Sequence, residues 1–299
     1  MLTVVAASLR DYWRRAQPYQ ALAYVVGALL VAVGLAHLLG FLILGGAWEG
    51  PVAWRKPFAF GVSFGLTTLT LGWIATFLRI PRRLGWLLFG ALAVSNTSEV
   101  VWVSVQRARG VPSHFNTGTV LDTVLFTVAG GVAILVTIAV ILAVTVLAFT
   151  RMDAHPDMAL AIRVGLVGLI TAQAVGGAMI ANGLAVQEAG GTQLTTLPPH
   201  GIMKVPHAVG MHGIQLLPGL SWLLTFTPVD GHRRMRLVRL ACAGYAGLVA
   251  VVVPQTFRGL APWQLGVLTG LLLVVSLGAL TSAFATGVGA LRRPRRAVT

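Results

Sequence analysis

The chain is poor in charge, poor in acids and nearly free of cysteine. Charged residues fill 10% of its 299 positions, less than half of the ~25% usual in globular chains. A soluble domain is thereby excluded. With 56% apolar side chains and a mean hydropathy of +0.82, the chain reads as an integral membrane protein. Cys242 stands alone, which rules out an internal disulfide and a thiolate-held metal cluster. No Gly-rich phosphate loop and no cytoplasmic domain interrupt the apolar runs, so nucleotide-driven work is excluded as well. Eight acids face 22 basic residues, yet the basic residues sit in short turns between apolar runs, which is not the pattern of a nucleic-acid reader. All but Lys56 and Lys204 are arginines, a bias that suggests a GC-rich bacterial genome and so a bacterial inner membrane.

What is present is apolar length. Eight segments can span ~30 Å of hydrocarbon at ~1.5 Å per residue: Ala21–Gly46, Phe58–Leu78, Leu84–Gln106, Leu121–Phe149, Val164–Ala185, His207–Phe226, Leu237–Phe257 and Trp263–Leu291. The predicted fold is all-α, with an interfacial helix in residues 1–20, four-helix units over 21–150 and 151–291, and a basic tail over 292–299. Residues 1–9 lack a basic start and look interfacial, not like a cleaved signal. One set of loops carries Arg10, Arg14, Arg15, Arg79, Arg82, Arg83, Arg151, Arg163, four arginines between Arg233 and Arg239 and four between Arg292 and Arg296. The opposite set holds Arg55, Lys56, Arg107, Arg109, Lys204 and Arg258. The positive-inside rule then predicts both termini in the cytoplasm.

At a shift of 149 residues the chain resembles itself. Pro57-Phe-Ala-Phe-Gly through Trp73-Ile-Ala-Thr-Phe aligns with Pro206-His-Ala-Val-Gly through Trp222-Leu-Leu-Thr-Phe. The same shift pairs Gln106, Arg109 and Gly110 with Gln255, Arg258 and Gly259, and Gly34-Leu35 with Gly183-Leu184. Matches in Pro, Gly, Trp, Gln and Arg are not what apolar composition alone produces. They predict two tandem four-helix units of the same topology.

The halves differ where side chains ionise. His37, Glu99, His114 and Asp122 of the first half face Val186, Leu248, Trp263 and Leu271, while His207 and His212 of the second face Phe58 and Ser63. Ionisable groups in apolar spans cost roughly 2.5–3.5 kcal/mol at mid-helix, which makes them functional candidates. Counting along the spans puts His37, Glu99 and His212 roughly 13, 10 and 8 Å below the outer ends of their helices. His114, Asp122, His200 and His207 line the approach, with Arg55, Lys56, Arg107, Arg109, Lys204 and Arg258 at the rim. Residues Gln187 to Val205 form a long loop suited to a lid. His207 and His212 lie ~140° apart around a helix, so an undistorted helix cannot aim both at one ion. Gln215 shares a face with His212, and Pro218 frees a carbonyl nearby.

Plain structural alternatives stand beside these. His37 can bond a neighbouring helix, Glu99 can bridge helices as a neutral acid, His114 can be a turn residue, and Asp122 can serve the first turn of its helix. The rim cations can anchor in lipid phosphate.

Three chemistries compete. The first is redox, with haem b between helices, His37 and His212 or one of them alone as axial ligands, and Arg55, Arg109, Lys204 and Arg258 holding propionates, or a quinone in the same layer. The second is a Zn or Fe enzyme acting on a membrane lipid, its ligands drawn from His37, His207, His212, Glu99, His114 and Asp122. The third is transport, with Glu99 carrying a coupling proton. In topology alone, eight spans in two four-helix units resemble haem A synthases. The chain has neither their Glu-x-x-His pairing nor their outer-loop cysteine pair, and no membership follows.

Overall fold

Backbone in hydrocarbon has no water to bond, so long apolar runs must coil on themselves. In the computed structural model, which describes residues 2–190, 196–197 and 201–291, the chain is helical apart from connecting turns and one two-residue antiparallel pair. The helices are α1 (Leu2–Arg15), α2 (Pro18–Leu44), α3 (Arg55–Ile74), α4 (Arg82–Ala108), α5 (Val120–Val124), α6 (Ala133–Thr150), α7 (Pro156–Glu188), α8 (Lys204–Leu224), α9 (Gly231–Phe257) and α10 (Val267–Leu291). A 3₁₀ turn, Ala75–Phe77, ends α3, and a π-helical stretch, Leu125–Val132, joins α5 to α6. Thr196–Leu197 pairs with Gly201–Ile202. Among the described residues, seven helices are long and apolar enough to cross a membrane, the run from α5 to α6 counting as one. α8 is not among them, its apolar content diluted by Lys204, His207, His212 and Gln215.

Every predicted span lies within a helix or covers most of one, but several helices run past the first charge. α7 begins at Pro156, eight residues before the predicted start. Its Arg163 is accommodated inside the helix because the guanidinium donates to the Ala148 carbonyl (2.9 Å) and lies over Phe149. α9 likewise begins at Gly231, where the Asp230 side chain accepts from the Arg233 N–H (2.9 Å) and caps the helix.

The chain divides into two compact units, Asp11–Leu147 and Ala148–Thr299 with Met1–Arg10. In the first, α2 and α3 meet at glycines: a Cβ on Gly61 would stand 2.6 Å from Gly34 Cα, and one on Gly65 2.6 Å from the Gly27 carbonyl. Small residues let helix backbones approach this closely. At the end of the unit near Pro18, Gln20 donates to the Gly72 carbonyl (3.1 Å) and to Thr76 (3.0 Å). α4 packs against both helices, with Phe89 stacked on Tyr19.

In the second unit α7 and α8 also meet at glycines. A Cβ on Gly210 would stand 2.7 Å from the Gly168 carbonyl and 2.9 Å from Ala172 Cβ. Its interior is apolar, built on Ala161, Leu217, Leu220, Val238, Ala241 and Tyr245. Near Pro156, buried Asp157 accepts from Ser221 (2.7 Å) and forms ion pairs with Arg234 (2.9 Å) and His155.

The glycine contacts do not follow the expected shift of 149. Gly61 lies against Leu30 and Gly34, and Gly210 lies against Gly168 and Ala172. Those partners are 138 residues apart, as are the helix-opening Pro18 and Pro156. At that spacing Gly34 falls on Ala172 and His37 on Val175, where a shift of 149 sets Gly183 and Val186. The reason is length: α7 has 33 residues where α2 has 27, and a single ungapped shift cannot follow the longer helix and connection.

Candidate ligand site in the first unit

α4 brings a row of polar groups to one face. Asn96, Glu99, Trp102 and Gln106 recur at intervals of three or four, hence on one side of a helix, and each is at most 3% exposed. The inner part of the row is satisfied. Asn96 donates to Thr68 (2.8 Å), whose hydroxyl donates to the Phe64 carbonyl (2.7 Å). Thr137 donates to the Asn96 side-chain carbonyl (2.8 Å) and lies 2.9 Å from the Ser95 hydroxyl. In the sequence this network shows as the polar run Ser95-Asn-Thr-Ser-Glu99 inside an apolar span.

The outer end is satisfied too. Gln106 and Arg109 both donate to one oxygen of Asp122, at 3.0 and 2.6 Å, and Thr119 donates to the other at 2.7 Å. Arg109 also donates to the Gln106 side-chain oxygen (2.5 Å). Thr119 in turn caps α5 by accepting the Asp122 N–H (3.1 Å). Asp122 is thus the centre of a latch that ties α4 to the start of α5, and the connecting loop, residues 109–119, is held across the end of the unit.

Between these satisfied ends lie two groups that are not. Oε2 of Glu99 and Nε1 of Trp102, one turn apart, are buried without a hydrogen-bond partner. Such groups cost roughly 1–3 kcal/mol each when left unpaired. The benzo edge of Trp102 abuts Gly130, where a Cβ would stand 2.8 Å from the ring, so its N–H points away from the π-helical stretch. Stretches of π-helix are rare and recur at functional sites.

The loop covers the pair with aromatic rings. His114 sits 4.9 Å from the Trp102 ring and 5.4 Å from Phe60 between centroids, with Phe126 at 6.4 Å. It shares a hydrogen bond with Ser113 (3.0 Å). Burial, aided by the charge of Lys56, holds its pKa down to about 3 from an ordinary 6.5, so the ring is neutral at pH 7. The next residue, Phe115, has φ of 60°, a conformation that costs a bulky side chain energy and that the loop must enforce.

Glu99, His114 and Asp122 thus belong to one region of one unit. The other candidates are distributed differently. His37, on α2, donates from Nδ1 to the Val33 carbonyl one turn back (2.9 Å) and lies 6.2 Å from the Trp54 ring. Trp54 carries Arg107 on its face at 4.1 Å. Arg55 pairs with Glu49 at 3.5 Å. In the second unit His207 faces α7, its Nδ1 2.7 Å from the Ala172 carbonyl, whereas His212 is exposed on another side of α8. The two imidazoles do not converge, as the helical angle required. The Gln215 amide, in the orientation that satisfies it, donates to the Met211 and His212 carbonyls (3.0 and 3.3 Å) and so serves its own helix. Lys204 opens α8, and Arg258 is exposed just after α9. His200 and much of the expected lid lie outside the described residues. Among the described residues, no three His, Cys, Asp or Glu side chains are grouped so as to hold a metal ion.

Comparison with family models, curated proteins and solved structures gives no match.

Proposed function

We propose that the protein is a bacterial inner-membrane redox protein with eight spans, both termini cytoplasmic, and its working site inside the first unit. The observation that carries this reading is the pair of buried, unpartnered groups on α4, the Glu99 carboxyl and the Trp102 N–H. An acid and a fixed donor aimed from successive turns suit a ligand oxygen that gains or loses a proton as electrons move. Phosphate chemistry lacks a phosphate loop, and the absence of a three-ligand group among the described residues leaves a lipid-cleaving Zn or Fe centre less support than redox work. The eighth span is α8, which at 21 residues is about as long as the hydrocarbon is thick.

The tandem repeat belongs to the same proposal. α3 and α8 start 149 residues apart, and α4 and α9 correspond end to end at that spacing. Both α4 and α9 end on a glycine with positive φ, Gly110 at 71° and Gly259 at 73°. In both, a glutamine at the equivalent position, Gln106 or Gln255, donates to the carbonyl of the residue six further on, Pro112 or Ala261.

A second reading, haem b on His37, is favoured by that residue's hydrogen bond to Val33. A ligand histidine commonly donates one ring N–H to a carbonyl, which leaves the other nitrogen for a metal. One preparation tests both readings. Protein purified in mild detergent is scanned in the visible before and after dithionite, and its organic extract is assayed for reducible compounds. A stoichiometric reducible group that is lost or spectrally shifted in Glu99→Leu supports the first reading, and a Soret band abolished by His37→Ala supports the second. A preparation with no reducible group overturns both.

A further inference from the structure

The pair on α4 also constrains what it holds. We infer that Glu99 and Trp102 dock one oxygen of a lipid-soluble quinone or quinol drawn from the bilayer. This rests on the redox reading and names its ligand.

Shape and polarity carry the inference together. The Trp102 N–H is a donor only, while a carboxyl donates when protonated and accepts when ionised. A quinone carbonyl accepts from Trp102 and from protonated Glu99, and a quinol hydroxyl accepts from Trp102 while donating to ionised Glu99. Both redox forms therefore satisfy both orphaned atoms. A purely cationic ligand would leave the Trp102 N–H unpaired, and a permanent anion would repel an ionised Glu99.

The surroundings select a flat, apolar molecule. Toward the outer end, the way is closed by His114, Phe60 and Phe126 packed near Trp102, and beyond them by the Asp122 latch. Sideways, the flank is apolar. Gly130 abuts the indole, and its neighbours Val128 and Val132 are 55% and 50% exposed, as are Val101 at 53% and Val105 at 43% on α4. An apolar molecule arriving from the lipid meets valines and glycine, whereas one arriving from water meets an ionic latch and an aromatic plug. His114, kept neutral by burial, sets an aromatic face beside Trp102 without adding charge.

The test uses the full-length protein in lipid nanodiscs and decyl-benzoquinone as the probe, with a photoreactive azido-quinone mapped by mass spectrometry. Label is expected on peptides of α4 and of the π-helical stretch, displaced by decyl-benzoquinone. Glu99→Leu and Trp102→Phe should each weaken binding about tenfold, the weight of one or two lost hydrogen bonds. Glu99→Gln, which can still donate or accept, should retain most of the affinity. Label elsewhere, or unchanged affinity in Glu99→Leu and Trp102→Phe, overturns the inference, since a trapped water would then be what satisfies the two groups. Should the purified protein carry a reducible group that responds to Glu99 while decyl-benzoquinone does not bind, the docking inference falls and the redox reading stands. Should the probe bind as described to a protein with no reducible group, the redox reading falls instead.

Discussion

α4 and α9 have the same length and the same C-terminal turn, yet one carries a polar face and the other an apolar one. Asn96, Glu99 and Trp102 of α4 lie 149 residues before Tyr245, Leu248 and Val251 of α9, and Thr68 on α3 lies 149 before Leu217 on α8. In the second unit these positions belong to or adjoin a well-filled core, where Tyr245 turns its hydroxyl back to the Val209 carbonyl. In the first they form a hydrogen-bonded row with two atoms left unpaired. A scaffold that stands with leucine and valine at these places has no need of a buried acid, so the acid is retained at a cost in stability. That is the pattern expected of a working site.

The comparison can be broken most forcefully at the helix crossings. Gly61→Val and Gly210→Val each push a side chain into facing backbone, and each should destabilise by about 3 kcal/mol or more, measured by thermal unfolding in detergent. Comparable losses in the two would sharpen the view that one crossing serves both units. Next comes the latch, present in the first unit only. Asp122→Ala strands Gln106, Arg109 and Thr119 and should cost about 2–3 kcal/mol, whereas Leu271→Ala at the matching place, 60% exposed, should cost about 0.5 kcal/mol or less.

His114 predicts an acid sensitivity of the loop over residues 109–119. Its folded pKa, about 3, lies below its ordinary 6.5, so the unfolded loop binds a proton that the folded loop refuses. Stability contributed by the buried ring is then fully present above pH 6.5 and is lost as pH falls from 6.5 toward 3. Limited proteolysis of the 109–119 loop at pH 7 and pH 5 should show faster cleavage at pH 5, and His114→Phe should flatten that difference. A smaller and opposite effect is expected at the site itself. Glu99→Leu should raise thermal stability by about 1 kcal/mol, because it removes an unpaired buried acid. A fall of similar size would make Glu99 a structural bridge. The least effect belongs to Arg258→Ala, exposed in the second unit, at about 0.5 kcal/mol or less, against a loss of about 2 kcal/mol for Arg109→Ala, which unpairs Asp122.

Much of the fold was legible in the order of residues. All eight apolar runs became helices, because hydrocarbon length and an unsatisfied backbone leave no other choice. Helix ends were misjudged where charges sit inside them, as with Arg163, since a side chain that finds a carbonyl and a ring one helix away looks from the sequence like the end of a span. Glu99, His114 and Asp122 could be singled out one by one as ionisable residues in or near apolar runs. What could not be read was that Asp122 takes up Arg109 and Gln106, or that Asn96 and Thr137 are bonded while Glu99 and Trp102 are not.

Composition and periodicity determined a membrane protein of long helices, the glycines at which they cross and the imbalance of ionisable groups between its halves, because these are properties of single residues and their spacing. The tertiary structure alone decided the register of the first helix in each unit, since backbone contact at glycine is a relation between helices. It alone also separated satisfied polar groups from unsatisfied ones, because a hydrogen bond is made or missed over a few tenths of an ångström, a distance that no linear order encodes.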